Sequence, residues 1–157
     1  MSDMLVNLLR LPPVEPALEE LRAAGVVVRR AGPWELTPVR EFVAERFSRA
    51  WADEISAGLV SRPATVFVAL RGGRLVGFAA YECTRKNFFG PTGVVEDERG
   101  RGVGRALLLA SLRGLRELGY AYAVIGGVGP AGFYERAVGA RLIPDSSPGV
   151  YADPIRR

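Results

Sequence analysis

VVEDERGRGVGRALL, residues 94–108, runs from the end of an apolar strand through a glycine-punctuated turn into a long amphipathic helix. Three glycines leave the backbone nearly bare where that helix begins, and three arginines stand among them. The first N–H groups of a helix have no partner within it, and the helix dipole adds partial positive charge there. Such a terminus binds phosphate or pyrophosphate. The residues that we expect to do so are Arg99, Gly100, Arg101, Gly102, Val103, Gly104 and Arg105.

Two other phosphate-binding loops fit this stretch poorly. A P-loop requires a lysine after its second glycine, and the single lysine of the chain, Lys86, lies elsewhere. A dinucleotide fingerprint that started at Gly100 would need its third glycine at position 105, which is Arg105. It would also need an acidic residue about 20 positions further on, where the sequence reads YAYAVIGG. The run from Arg99 to Gly104 instead follows the pattern [Q/R]-x-x-G-x-[G/A].

A second signature follows at residues 126–140, GGVGPAGFYERAVGA, directly after the apolar strand AYAVI of residues 121–125. Pro130 is typical of a helix start, and the predicted helix carries Phe133 and Tyr134. Together the two segments resemble the pyrophosphate-binding and F-Y-E motifs of the GCN5-related N-acetyltransferases, the GNAT superfamily. The sequence departs from that pattern at Gly127, where the family often has asparagine, and at Gly139, one residue later than the usual glycine.

The resemblance implies a fold and a set of roles. The fold is α/β (α+β), with a mixed central sheet of six to seven strands flanked by four helices. In the family, the fourth and fifth strands splay apart at a bulge, and the pantetheine arm of acetyl-CoA pairs with the freed strand, here Gly93, Val94 and Val95. A backbone N–H there, that of Val94, would stabilise the thioester oxyanion. Tyr134 would protonate the departing thiolate. The bulge itself is also indicated by Gly90 and Pro91, because proline cannot donate to a sheet ladder.

The general base is less well determined by the sequence. Strand alternation puts Glu82 on one face with Phe78 and Ala80, near the expected acceptor end, so Glu82 is the first candidate. Its alternative role is a surface ion pair with a neighbouring arginine. Asp53 and Glu54, on the helix expected to wall the acceptor site, are the next candidates, and a chain of water molecules could serve instead.

Composition excludes several other classes of protein. The chain has no histidine and one cysteine, Cys83, so no zinc site can be assembled and no metal is expected. The net charge of +4 comes from scattered arginines without a basic run, which argues against nucleic-acid binding. No apolar stretch reaches the length of a membrane span, and a lone cysteine is typical of a reducing compartment, so we expect a cytoplasmic protein.

The pattern along the chain divides it into an N-terminal extension, residues 1–25, and a GNAT domain, residues 26–157. The extension consists of an apolar arm and a short helix ending at Gly25. It has no obvious place in the minimal fold, and this predicts that the arm covers a sheet edge or a partner subunit, as in a homodimer. The alternative is an arm folded on its own subunit. Gly72-Gly73 predicts a tight hairpin, and residues 140–144 and 149–153 are predicted to form a last hairpin.

These observations predict an enzyme that transfers acetyl from acetyl-CoA to a primary amine by direct attack, releasing CoA. The acceptor, a small molecule or a peptide, is not identified by the sequence. Arg85 and Lys86, in the loop after the third strand, favour an acceptor with a carboxylate or phosphate. The alternative is a non-catalytic sensor or regulatory module that binds acyl-CoA through the same fold.

Overall fold

The glycine-punctuated stretch joins the middle of a sheet to its main covering helix in the computed structural model, which describes residues 1–156. The strands are β1 Met4–Asn7, β2 Val26–Arg30, β3 Val66–Arg71, β4 Arg74–Tyr81, β5 Phe88–Val94, β6 Tyr122–Ile125 and β7 Arg141–Leu142. The helices are α1 Glu15–Ala23, α2 Leu36–Arg46, α3 Arg49–Leu59, α4 Val103–Glu117 and α5 Ala131–Val138. None of these helices is long and apolar enough to cross a bilayer.

The strands form one mixed sheet in the order β2-β3-β4-β5-β6-β1-β7. All neighbours are antiparallel except β5 and β6, the fourth and fifth strands of the predicted domain. These two share only the register pairs Phe88 with Val124 and Phe89 with Ile125. Gly90 then adopts φ +118°, and within residues 1–156 the second half of β5 pairs only with β4. An unpaired backbone edge therefore opens beside the turn into α4.

The apolar arm lies inside the sheet. β1 pairs with β6 from Met4 with Ile125 to Asn7 with Tyr122, and on its other side with β7. Met4, Val6 and Leu8 are fully buried in the same core cluster as α4. The arm therefore covers a sheet edge within its own subunit, because its alternating apolar residues pair with β6, which would otherwise be the edge strand. The argument for a homodimer loses the observation on which it rested.

The predicted last hairpin is also wrong. Only Arg141–Leu142 forms a strand, and it pairs with β1 rather than with residues 149–153. Residues 149–151 form a short 3-10 turn instead. Pro144 and Pro148 interrupt the segment and cannot donate to a ladder. The chain end therefore crosses the end of the sheet rather than extending it.

Two apolar layers hold the helices on the sheet. α4 packs on one face, over a cluster that includes the largest buried side chains of β1, β4 and β6. α2 and α3 cover the other face over β3 and β4. α4 comes close because Gly114 has no side chain: a Cβ atom there would lie 2.5 Å from the hydroxyl oxygen of Tyr81. The predicted Gly72-Gly73 hairpin is present, with Arg71 opposite Arg74.

Candidate active site

The turn before α4 has the conformation that its glycines predict. Gly100 and Gly102 have φ of +75° and +87°, a region that side chains with a Cβ atom rarely adopt. Gly102 is the N-cap of α4 and offers no side-chain acceptor to the first helical N–H groups. The N–H groups of Val103, Gly104 and Arg105 therefore remain available, with the positive end of the helix dipole behind them.

A cavity of about 410 Å³, which we name the turn-side cavity, lies between this turn, β5 and α5. Seven of the ten predicted cofactor-binding residues line it: Gly93, Val94, Arg99, Gly100, Gly102, Gly104 and Arg105. Further lining residues were not predicted, and they are apolar or small: Phe89, Thr92, Leu108, Pro130 and Phe133. These residues come from β5, α4 and the start of α5, so no single sequence motif contains them all.

The other three predicted cofactor residues lie outside this cavity. Val103 is 1% exposed and packs into the core beneath α4. Arg101 is exposed and does not line the cavity, and Val95 borders a separate surface groove. The structure does not bring these three side chains to the cavity, so their part in binding a cofactor stays a prediction. The backbone N–H of Val103 keeps its place at the helix start.

The free edge of β5 presents the backbone N–H and C=O of Val94 to the turn-side cavity. The N–H of Val95 donates to Val76 O on β4 at 2.9 Å. Successive residues of a strand point their N–H groups in opposite directions, so the N–H and C=O of Val94 face away from β4. Arg99 Nε donates to Val94 O at 3.0 Å. The Val94 N–H is therefore the strand donor that a ligand in this cavity can reach.

Tyr134 stands where the turn-side cavity meets the next one. Its ring is 6% exposed and packs edge-to-face on Phe133 and Phe89, with centroid distances of 5.0 and 6.3 Å. Burial raises the pKa of the Tyr134 phenol to about 12. No group among residues 1–156 hydrogen-bonds its hydroxyl. The phenol is therefore protonated at neutral pH and has no competing protein partner for its proton.

Two smaller cavities continue the turn-side cavity beyond Tyr134. The middle cavity, about 220 Å³, shares Phe89, Thr92, Pro130 and Tyr134 with the turn-side cavity. The far cavity, about 80 Å³, shares seven residues with the middle one: Met1, Trp51, Phe89, Gly90, Pro91, Gly126 and Gly127. The three cavities thus adjoin one another, and we name them together the cleft, with Tyr134 near its centre.

Charge is distributed unevenly along this cleft. Arg99 and Arg105 line the turn-side cavity, whereas no arginine or lysine of residues 1–156 lines the middle or far cavity. Thr84 and Tyr151 border the far cavity, and both hydroxyls donate to Oε1 of Glu54, from Tyr151 at 2.7 Å. Two arginines thus line one end of the cleft, and at the other end two lining residues hold the carboxylate of Glu54, which itself lines none of the three cavities.

Glu82 lies outside this cleft and lines neither cavity that Tyr134 borders. Its φ of +59° takes it out of the strand alternation on which its prediction depended. Its Oε2 accepts from the N–H of Asn87 at 2.6 Å and its Oε1 from the hydroxyl of Tyr120 at 2.8 Å. The carboxylate holds the loop between β4 and β5, so the structure does not bring Glu82 to Tyr134, and we withdraw it as a base.

None of the other candidate residues, Asp53, Cys83, Arg85 and Lys86, lines the cleft. Asp53 is exposed and forms an ion pair with Arg40 at 3.6 Å on the outer side of α3. Burial raises the pKa of the Cys83 thiol to about 11, which leaves it protonated and unreactive. Arg85 and Lys86 are exposed and line no part of the cleft. Among residues 1–156 no group of histidine, cysteine and acidic side chains could hold a metal ion.

The comparisons with known proteins agree with this geometry. Residues 62–137 match the family model described as an acetyltransferase (GNAT) domain. Residues 62–137 belong to a GNAT acetyltransferase domain. The resemblance predicted from the two motifs is thereby confirmed. The comparison with curated proteins found no match.

Solved structures share the fold of this GNAT domain. A fungal multi-domain β-N-acetylglucosaminidase with a GCN5-related glucosamine N-acetyltransferase region is 16% identical, with a TM-score of 0.72 over 90% of this chain. The chain spans 19% of that fungal protein. A GNAT family acetyltransferase from Brucella melitensis in complex with acetyl-CoA is 21% identical, with a TM-score of 0.56 over 75% of this chain and 86% of that one. A GNAT family N-acetyltransferase from Escherichia coli in complex with CoA is 25% identical, with a TM-score of 0.55 over 71% of this chain and 67% of that one.

The matched range of the GNAT domain contains all of the turn-side cavity but not the whole cleft. It ends before Tyr151 and begins after Trp51 and Glu54. Three lining residues of the far cavity, Met1, Trp51 and Tyr151, therefore lie outside the family match, and the others lie within it.

Proposed function

We propose that the GNAT domain transfers the acetyl group of acetyl-CoA to a primary amine by direct attack. The observation that carries this proposal is the turn-side cavity, which the N-terminus of α4, Val94 with its free N–H, and Tyr134 line together. Bound acetyl-CoA supplies a thioester carbonyl carbon to the attacking nitrogen. The donor set fits its pyrophosphate, because free helical N–H groups and two guanidinium groups, those of Arg99 and Arg105, meet at one end.

Different residues of the cleft would have different roles in the reaction. The turn from Gly100 to Gly104 would hold the pyrophosphate, and the edge of β5 would align the pantetheine arm. The Val94 N–H would donate to the carbonyl oxygen as negative charge develops on it. When the neutral amine nitrogen bonds to the carbonyl carbon and the carbon–sulfur bond breaks, Tyr134 would give its proton to the leaving thiolate. The nitrogen would release its extra proton to a chain of water molecules that leads to solvent. The Arg99 hydrogen bond to Val94 O would yield to the pantetheine arm.

A charge change at Gly104 tests where the pyrophosphate binds. A Cβ atom at Gly104 would lie 3.7 Å from Val94 Cγ2, which is an ordinary contact, so a small side chain fits. An acidic residue in the first helical turn also favours the helix itself. We therefore expect Gly104→Asp to fold and to bind CoA at least about ten-fold more weakly, a change of about 1.4 kcal/mol. Gly104→Asn, with the same shape and no charge, is the matched control in calorimetry.

Two results would count against this assignment. If the aspartate and asparagine variants bind CoA equally well, the pyrophosphate lies elsewhere. If the parent protein binds CoA but releases no thiol from acetyl-CoA with any amine in a panel of cationic, neutral and acidic amines, transfer to amines is refuted. That second result would favour the non-catalytic acyl-CoA module. The proposal also includes a reducing, cytoplasmic setting, which the lone Cys83 suggests.

The homodimer is an independent part of the proposal. Nothing in the cleft requires a second subunit, since β1 is already paired on both sides. Light scattering at micromolar concentration measures the mass, and a monomer would remove the dimer.

A further inference from the structure

The end of the cleft away from the cofactor turn is bounded by one aromatic side chain, that of Tyr151. Its hydroxyl donates to Oε1 of Glu54 on α3 at 2.7 Å. Its ring lies against the loop after β6, since a Cβ atom at Gly127 would be 3.6 Å from Tyr151 Cε2. Tyr151 is a lining residue of the far cavity and spans it from that loop to α3.

Gly127 leaves room for this ring. It is the position at which the GNAT family often has asparagine, and here it has φ +56° and no side chain. Any side chain longer than a methyl group would extend from the Cβ position toward the Tyr151 ring and toward Met1 Cε, which is 3.8 Å away. The departure from the family pattern at Gly127 therefore gives Tyr151 its place in the cleft.

The segment that carries Tyr151 is held by the N-terminal arm. The N–H of Ile143 donates to Asp3 O at 2.9 Å, and the N–H of Asp3 donates to Ser146 Oγ at 2.9 Å. The Asp3 carboxylate also accepts from the N–H of Gly127 at 2.8 Å. These hydrogen bonds join the segment, the arm and the loop after β6, so the Tyr151 ring has a defined position at the far cavity.

An acceptor in this cleft would extend from Tyr134 toward Tyr151. Of the three cavities, Tyr134 lines the turn-side and the middle one. With the pantetheine arm in the turn-side cavity, the middle cavity is the space from which an amine nitrogen can approach the carbonyl carbon beside Tyr134. The nitrogen would therefore stay at the Tyr134 end, and the rest of the amine would extend through the middle cavity toward Tyr151.

The volume of the middle cavity sets the size of what fits between the two tyrosines. The cavity measures about 220 Å³, and its walls include Trp51, Phe89 and Ile125. At about 30 Å³ for each non-hydrogen atom, the volume of one water molecule in the liquid, this space holds roughly seven such atoms. The far cavity, at about 80 Å³, adds little before the Tyr151 ring is reached.

We propose that Tyr151 is a specificity-determining residue of the acceptor site, and that its ring limits the acceptor body to roughly seven non-hydrogen atoms. This inference rests on the proposed acetyl transfer, because that reaction places the thioester beside Tyr134. The hydrogen bond to Glu54 holds the ring in position, and the ring itself sets the limit.

A series of S-alkyl-CoA thioethers measures this space without any turnover. Each thioether would have its sulfur where the proposed reaction places the thioester sulfur, and its alkyl chain would enter the middle cavity. In calorimetry, we expect the affinity of the parent to rise about three- to four-fold for each methylene, up to about seven carbons. S-Dodecyl-CoA should bind at least about ten-fold more weakly than S-octyl-CoA, because the longer chain has to displace the ring.

Three variants separate the ring from its surroundings. In Tyr151→Ala the end of the cleft is open, so S-octyl-CoA and S-dodecyl-CoA should bind within about two-fold of each other. Tyr151→Phe keeps the ring and should keep the ten-fold difference of the parent. Tyr122→Ala is the matched control, since Tyr122 is 51% exposed, against 49% for Tyr151, and lines none of the three cavities. Melting temperatures of all three variants verify that they are folded.

Each contrary result has its own meaning. If Tyr151→Ala keeps the parent's difference between octyl and dodecyl, or if Tyr151→Phe loses it, the ring does not limit the site. If no alkyl chain adds affinity to that of CoA, no ligand extends into the middle cavity, and the inference is refuted while acetyl transfer stands. If the parent does not bind CoA at all, the proposed function is refuted and this inference with it.

Discussion

Replacing Tyr134 by phenylalanine removes one hydroxyl group and nothing else from the centre of the cleft. The ring contacts with Phe89 and Phe133 remain, and the lost hydroxyl has no hydrogen-bond partner among residues 1–156. The variant should therefore fold as the parent does and bind CoA with the same affinity. Its kcat should fall by about 10²- to 10⁴-fold, the usual contribution of a general acid.

The same variant gives a second magnitude, which does not depend on any substrate. The pKa of the buried phenol is about 12, against about 10 for an exposed tyrosine. Because the folded-state pKa is raised, the contribution of Tyr134 to stability is complete below pH 10 and is lost as the pH rises through 12. At pH 11 ionisation of this phenol favours the unfolded state over the folded state by about ten-fold. The free energy of unfolding of the parent is therefore about 1.4 kcal/mol lower at pH 11 than at pH 8 from this group alone. Phenylalanine cannot ionise, so the free energy of unfolding of the variant lacks this decrease between pH 8 and pH 11.

Two assays check these numbers. Thiol release under saturating acetyl-CoA and amine measures kcat at pH 8, with calorimetry of CoA as the control for an intact cofactor site. Urea unfolding of parent and variant at pH 8, 9, 10 and 11 measures the difference in free energy. Unchanged kcat would assign Tyr134 to packing alone. A free-energy difference that stays constant from pH 8 to 11 would show that the phenol is not buried as the structure has it.

Two further predictions concern the fold. Leu8→Ala should lower the free energy of unfolding by about 2–5 kcal/mol, since Leu8 is fully buried. Leu9→Ala, at a side chain that is 64% exposed, should change it by no more than about 0.5 kcal/mol in urea unfolding. Similar losses at both positions would show that the arm does not pack in the core. Glu35→Gln should lower the melting temperature at pH 7, because Arg29 donates two hydrogen bonds to Glu35 and holds the pKa of that carboxyl at about 2. A lowered carboxyl pKa stabilises the fold above pH 4.5 and loses that effect as the pH falls through 2, so the difference in melting temperature should shrink from pH 7 to pH 2.5, and a constant difference would contradict the ion pair.

The features that the sequence alone predicted are those with short-range causes. Gly100 and Gly102 need positive φ and form the turn whatever surrounds them, and the helix after that turn exposes its N–H groups by geometry alone. The Gly72-Gly73 hairpin is likewise local. Tyr134 could be placed beside the cofactor because its motif resembled a known family, and the structure puts it at the boundary of two cavities.

The features that only the tertiary structure decided depend on contacts between distant parts of the chain. The apolar pattern of Met4–Asn7 indicates a strand, but it does not say which strand it pairs with, and β6 is more than 110 residues away. Strand alternation predicted Glu82 near the acceptor end of the site, but the positive φ of Glu82 itself ends that alternation, and its side chain lies outside the cleft. The acceptor end brings Glu54, Thr84 and Tyr151 together from three separate segments. A hydroxyl and a carboxylate meet there because the sheet, α3 and the chain end converge in space. The periodicity of any one segment cannot predict such a contact.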